Sequence, residues 1–312
     1  MILPIVILIF GLIGVWIGAY MAVQASQNIG KSLNLTDAFI GLTILSIGTS
    51  LPEIFTHIIS SIDILHGIDA SGIAVGTNVG SNIIQITLIA GLIGLFATVK
   101  SEKNILKFDY PIMLGAIALL WIFGLDGRIS RIEGALMAAA YVVFIVILAS
   151  KEKMQRKNSY KANYFLESSV LVVGFAVLIY CASLVVNNAI FISETFGILK
   201  SFVGAMIIGV CTALPELTTS VVAIIKGSRG MSLGTLIGSN ITNPMFALGI
   251  GAAISGYKVD SILQWFDIPF WFITSFIIMG FFRKDMRLSK REALIMIGFY
   301  AVYAFIRIMW FR

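Results

Sequence analysis

Ten apolar runs dominate this chain: 2–23, 38–62, 71–98, 109–125, 132–150, 164–192, 201–225, 231–255, 264–282 and 292–311. Each approaches the roughly 20 residues that a helix needs to cross the hydrocarbon layer of a bilayer. The third and sixth are long enough to call for a tilt or a bend. Of 312 residues 58% are hydrophobic and 12% charged, about half the charge of an ordinary soluble domain. A soluble fold would leave too much apolar surface in water. The short alternating segments of a transmembrane barrel do not occur. An all-α, multi-pass membrane protein is the fold class expected.

The net charge of +6 does not point to nucleic acid, because Lys and Arg of a membrane protein collect in cytoplasmic loops. With the N-terminus outside, 16 of the 22 basic residues fall in inward loops, from Lys31 to Arg291. The expected location is the cell membrane, in contact with its lipid, with N-terminus and C-terminus both outside. The first run lacks a basic leader and a cleavage site, so it reads as a retained span. Cys181 and Cys211 both lie in apolar runs and imply no disulfide framework.

The chain repeats itself where it is least apolar. GLTILSIGTSLPEI (41–54) aligns with GAMIIGVCTALPEL (204–217), and GTNVGSNIIQ (76–85) with GTLIGSNITN (234–243). The motifs fall on the second and third spans of each half. A half with five spans must be followed by a half that runs the opposite way, as in many secondary transporters. The expectation is ten transmembrane helices as two inverted five-helix repeats, 1–150 and 164–312. The polar segment 151–163 is a short cytoplasmic linker between them.

Of the 16 acidic residues, only Glu53 and Glu216 lie well inside spans, at matching repeat positions. A carboxylate at mid-membrane costs at least about 2.5–3.5 kcal/mol on insertion scales and marks function by default. Pro52 and Pro215 precede them; each removes a backbone donor and frees the carbonyl four residues earlier, at Gly48 and Cys211. Broken backbone at membrane depth is tolerated where it lines a cavity or is buried in protein. Hydroxyls of Thr49, Ser50 and Thr212 join the carboxylates. Hard cations such as Ca²⁺ take six to eight oxygen ligands, and two Glu neutralise one divalent charge. Ser81 and Ser239 can add oxygens, and Gln85 and Asn243, four residues on, share their helix faces. Gly76, Gly80, Gly234 and Gly238 read as close-packing positions. His57 invites a zinc reading, but the Cys residues show no zinc-ligand spacing, so a packed or pore-facing histidine is expected. The aromatic C-terminal tail reads as interfacial anchoring.

The duplicated G-T-S-L-P-E and G-S-N segments resemble the α-repeats of the Ca²⁺:cation antiporter superfamily, in its sodium/calcium exchanger branch of prokaryotic type. The resemblance covers the whole chain. It implies an antiporter that exchanges Ca²⁺ for Na⁺ by alternating access, with no cofactor and no enzymatic step, acting as a monomer. Glu53 and Glu216 match the family's ligand glutamates, Thr49 and Thr212 its threonines, and Ser81 and Ser239 its serines on the neighbouring helices. Ser46 and Gly209 match the small residues whose carbonyls complete sodium sites, and Gln85 and Asn243 stand where the family has amides or acids. Asn243 in place of an acid argues against potassium co-transport. Gln85, Ala213 and Cys211 also depart from the pattern and bear on sodium affinity. The alternatives are a Ca²⁺/H⁺ antiporter, with the same glutamates carrying protons, and a cation channel.

Overall fold

The structure is a computed structural model that describes residues 2–97, 105–152, 161–195 and 213–310. Eleven helices are described. They are α1 (Ile2–Leu33), α2 (Asp37–Thr49), α3 (Leu51–Leu65), α4 (Ser71–Phe96), α5 (Ile105–Phe123), α6 (Arg131–Lys151), α7 (Tyr164–Thr195), α8 (Leu214–Ile225), α9 (229–255), α10 (263–285) and α11 (Lys290–Trp310). The strands β1 (Arg128–Ile129) and β2 (Tyr257–Lys258) pair antiparallel and tie the α5–α6 loop to the α9–α10 loop.

Among the described residues seven helices are long and apolar enough to cross a membrane, and the α2–α3 pair, bent by 44°, makes eight. The expected ten is not reached there. The run 201–225 is described only from Ala213 onward. The run 231–255 falls short in apolarity, because α9 carries Ser232, Thr235, Ser239, Asn240, Thr242 and Asn243. All six are buried, so this helix packs its polar side chains against protein. The first helix runs ten residues past its expected end, placing Lys31 in its last turn and not in a loop.

Burial sorts the helices. In α4 72% of the most apolar window is buried, against 28% in α1, α6, α7 and α11. The motif-bearing helices therefore form the centre. A large core joins α4, α5, α6, α9, α10 and α11. A smaller one joins α1 and α7 to α2 and α8 through Val15, Ala19, Phe175, Leu178 and Val222. Glycines let α1 and α7 approach: a Cβ on Gly18 would lie 2.5 Å from the Leu178 nitrogen, and one on Gly174 2.8 Å from the Ala22 nitrogen. The thiol of Cys181, which is free, packs over Gly14. Cys211 lies outside the described residues.

Two buried acids flank the centre where sequence placed them near span ends. Asp109 and Asp267 sit in matching π-helical turns, 105–109 and 263–267, each followed by a proline two residues on. Asp267, fully buried, pairs with Arg307 at 3.2 Å. The aromatic tail is only partly interfacial: Tyr303 is buried and stacks on Phe266, with ring centres 6.0 Å apart.

Candidate functional site

The break before each glutamate has the same geometry. Ser50 precedes α3 with φ −83° and ψ 3°; Ala213, its repeat equivalent, precedes α8 with φ −87° and ψ 7°. Both lie in the sparsely allowed bridge region. Pro52 and Pro215 follow inside the first helical turn, where a missing N–H costs nothing because it has no intrahelical acceptor. The hydroxyl of Thr56 donates to the Pro52 carbonyl at 2.9 Å, and that of Thr219 to the Pro215 carbonyl at 2.7 Å. Glu53 and Glu216 thus occupy equivalent first-turn positions, where the partial positive charge of a helix N-terminus favours a carboxylate.

Both glutamates are buried, at 5% and 0% exposure, and they are near enough to feel one another's charge. No hydrogen bond from a described residue reaches their four oxygens. The Thr49 hydroxyl neighbours Glu216, but its proton goes to the Leu45 and Ser46 carbonyls at 3.0 and 3.3 Å. That leaves its lone pairs open. The hydroxyls of Ser50 and Ser239 and the Oδ1 of Asn243 are likewise buried without a described partner. Ser81 donates to the Asn78 carbonyl at 3.1 Å and keeps its lone pairs. A cavity of about 220 Å³ reaches Glu53 and is walled by Pro52, Thr56, Thr77, Pro215 and, from α7, Ser183. Larger cavities of about 450 and 540 Å³ lie elsewhere, around Lys107 and Lys151 and around Asp69 and Lys258, and touch neither carboxylate.

Four expected site residues do not present an oxygen among the described residues. Thr212 and Gly209 lie outside the described residues. The Ser46 carbonyl already accepts from the Ser50 N–H at 3.0 Å and from Thr49, so it has no lone pair to spare in this arrangement. Gln85 does not present an oxygen: its Oε1 accepts from Asn240 at 3.0 Å and its Nε2 is the buried atom without a described partner.

The glycine expectation holds for α9. A Cβ on Gly234 would lie 2.6 Å from the Ala38 carbonyl oxygen, and one on Gly238 2.7 Å from the Ser46 side chain. Close approach therefore clamps α9 to α2. At Gly76 and Gly80 no described atom lies within 4 Å. His57 is a packed histidine, hydrogen-bonded to Tyr257 at 3.2 Å and Asn78 at 3.0 Å. Among the described residues no group of three His, Cys, Asp or Glu side chains gathers as a metal cluster.

Sequence reasoning missed the asparagines of the two G-S-N segments. Asn82 and Asn240 make reciprocal bridges between α4 and α9: Asn243 Nδ2 donates to Asn82 at 3.3 Å, and Asn240 Nδ2 to Gln85 at 3.0 Å. Asn82 is the repeat equivalent of Asn240, and Gln85 of Asn243. Their recurrence at the same motif position was the available signal.

Paired buried carboxylates among hydroxyl and amide oxygens, enclosed by apolar helices, define a membrane protein built to handle cations. The sodium/calcium exchanger family matches residues 3–149 and 168–309. The sodium/calcium exchanger MaX1 of Methanosarcina acetivorans is 29% identical over 95% of this chain and 96% of its own length. The inner membrane protein YrbG of Escherichia coli is 31% identical over 89% and 88%. A solved structure of the sodium-calcium exchanger NCX_Mj, soaked with Na⁺ and Ca²⁺, superposes with a TM-score of 0.83 at 26% identity, covering 100% of this chain and 99% of that one. The chain belongs to the sodium/calcium exchanger family, as a prokaryotic Ca²⁺:cation antiporter. Its family is one of exchangers, whose work is cation and Ca²⁺ exchange across a membrane.

Proposed function

We propose that this protein exchanges Ca²⁺ for Na⁺ by alternating access at one mid-membrane site. Glu53 and Glu216 carry the load, assisted by Thr49, Ser50, Ser81, Ser239 and Asn243, with Thr212, Ser46 and Gly209 joining as the helix breaks rearrange. The observation that carries this reading is the set of buried oxygens without partners: two carboxylates, two hydroxyls and the Asn243 amide oxygen. Leaving such groups unpaired costs about 1–3 kcal/mol each, more when charged. A dehydrated cation that takes six to eight oxygens removes that cost. One Ca²⁺ or several Na⁺ satisfy the same carboxylates, so the loads compete and exchange needs no covalent step.

Two inverted five-helix repeats, 1–150 and 164–312 about the linker 151–163, support the alternation. The matched breaks, the matched threonine bonds and the reciprocal amide bridges are what that symmetry predicts. The α1–α7 pair has its own small core and a glycine-lined seam; it slides against the centre to open one face at a time. Both termini lie outside, and one chain suffices. Radioactive calcium uptake into proteoliposomes tests the reading. Uptake is expected with internal Na⁺ and not internal K⁺, and is lost in Glu53→Gln and Glu216→Gln. Uptake driven by a pH gradient alone would replace Na⁺ with H⁺ as the counter-ion.

A further inference from the structure

We propose that Gln85 serves the exchange site as a hydrogen-bond donor and not as a cation ligand, because Trp271 and Asn240 lock its amide the wrong way round for a cation. This role rests on the proposed exchange site and on one chemical fact: an indole N–H can only donate. Trp271 is fully buried on α10, and its Nε1 donates to the Asn240 Oδ1 at 3.0 Å. That contact settles which end of the Asn240 amide is oxygen. The other end, Nδ2, therefore donates, to the Leu236 carbonyl at 2.9 Å and to the Gln85 Oε1 at 3.0 Å. The orientation of Gln85 follows in turn: its oxygen faces Asn240, and its NH₂ is left over. Gln85 lies on the stripe of α4 that also carries Ser81 and Thr77, spaced at four residues, and Thr77 lines the cavity that holds Glu53.

The equivalent bridge ends with opposite polarity. A backbone carbonyl only accepts, so the contact from Asn78 Nδ2 to the Asn243 carbonyl, 2.8 Å, orients Asn78. Its Oδ1 accepts from Asn82 Nδ2 at 3.2 Å, and Asn82 Oδ1 accepts from Asn243 Nδ2 at 3.3 Å. The unpaired end of Asn243 is its oxygen. Two amides at repeat-equivalent positions thus offer different chemistry, an oxygen from α9 and an N–H pair from α4. A cation accepts the first and is repelled by the second, which suits a carboxylate oxygen or a water. Trp271 and Asn240 act as positioning residues through Gln85. His57 takes part on the other side, its Nε2 accepting from Asn78 Nδ2 at 3.0 Å.

The test is Ca²⁺ binding to the purified full chain in detergent, by calorimetry and by displacement with Na⁺. Gln85→Met keeps the length of the side chain and removes both amide atoms. It is expected to weaken Ca²⁺ by less than about tenfold, through loss of the donated hydrogen bond alone, while Asn243→Leu, which removes a ligand oxygen, weakens binding at least tenfold. Asn240→Asp accepts from both Trp271 and Gln85, turning the Gln85 oxygen to the site. It tightens Ca²⁺ by more in the parent chain than in the Gln85→Met background, where only its added charge acts. A tenfold loss in Gln85→Met, or equal effects of Asn240→Asp in both backgrounds, overturns the proposal and leaves the site reading intact. Failure of the parent chain to bind Ca²⁺ overturns both.

Discussion

Replacing Gly234 with alanine tests whether α9 really bears on α2 by backbone contact. The new Cβ would lie 2.6 Å from the Ala38 carbonyl oxygen, 3.1 Å from the Leu42 nitrogen and 3.2 Å from the Gly41 Cα. All three are backbone atoms of α2, so no rotamer change can relieve them. The shortest is about 0.8 Å inside an ordinary 3.4 Å contact, so the two helices must part by most of an ångström there. Overpacking of this kind costs about 1–3 kcal/mol, and with rigid backbone on the far side the upper half of that range applies. The gain in helix propensity on replacing glycine, about 0.5–1 kcal/mol, offsets only part, leaving a net loss of about 2 kcal/mol. Function suffers as well, because α2 carries Ser46 and Thr49 toward the carboxylates, and misplacement by about 1 Å can cost on the order of 100-fold in a site. Thermal melting in detergent and calcium uptake read the two effects. Gly115→Ala is the control: Gly115 is exposed on α5, with no described atom within 4 Å. A Gly234→Ala protein as stable as Gly115→Ala, with parental uptake, would refute the close approach and with it the placing of α2.

Other perturbations discriminate among the remaining contacts. Gly48→Ala meets only the tip of the Phe175 ring, a side chain that can swing, so it destabilises less than Gly234→Ala, and Phe175→Leu alongside it recovers most of the loss. Arg307→Met leaves the fully buried Asp267 without its ion-pair partner and costs about 3 kcal/mol in melting; adding Asp267→Asn restores most of it. Lys258 hydrogen-bonds Asp69 at 2.7 Å and holds its carboxyl below the ordinary carboxylate value. A lowered value stabilises above the unfolded pKa of about 4 and is lost as pH falls through the folded one. Asp69 is exposed, however, and an exposed ion pair is screened by solvent, so Asp69→Asn gives no measurable shift in melting at pH 7.

What the sequence determined by itself are the properties set by local chemistry. The solvent of the fold follows from long uncharged runs. The breaks at Ser50 and Ala213 follow from prolines that lack an N–H, and the break recurs at the same motif position because the motif does. The two glutamates stand out because a carboxylate inside an apolar run has no cheap local explanation. Tertiary structure decided everything that depends on a partner distant in the chain. Gly234 and Gly238 mark residues 229–255 for close packing, but which helix they meet, α2, is decided only by the tertiary structure. An amide has two faces of nearly equal shape and opposite polarity. Which one Gln85 turns to the site depends on Asn240, 155 residues away, and on the indole N–H of Trp271 behind it.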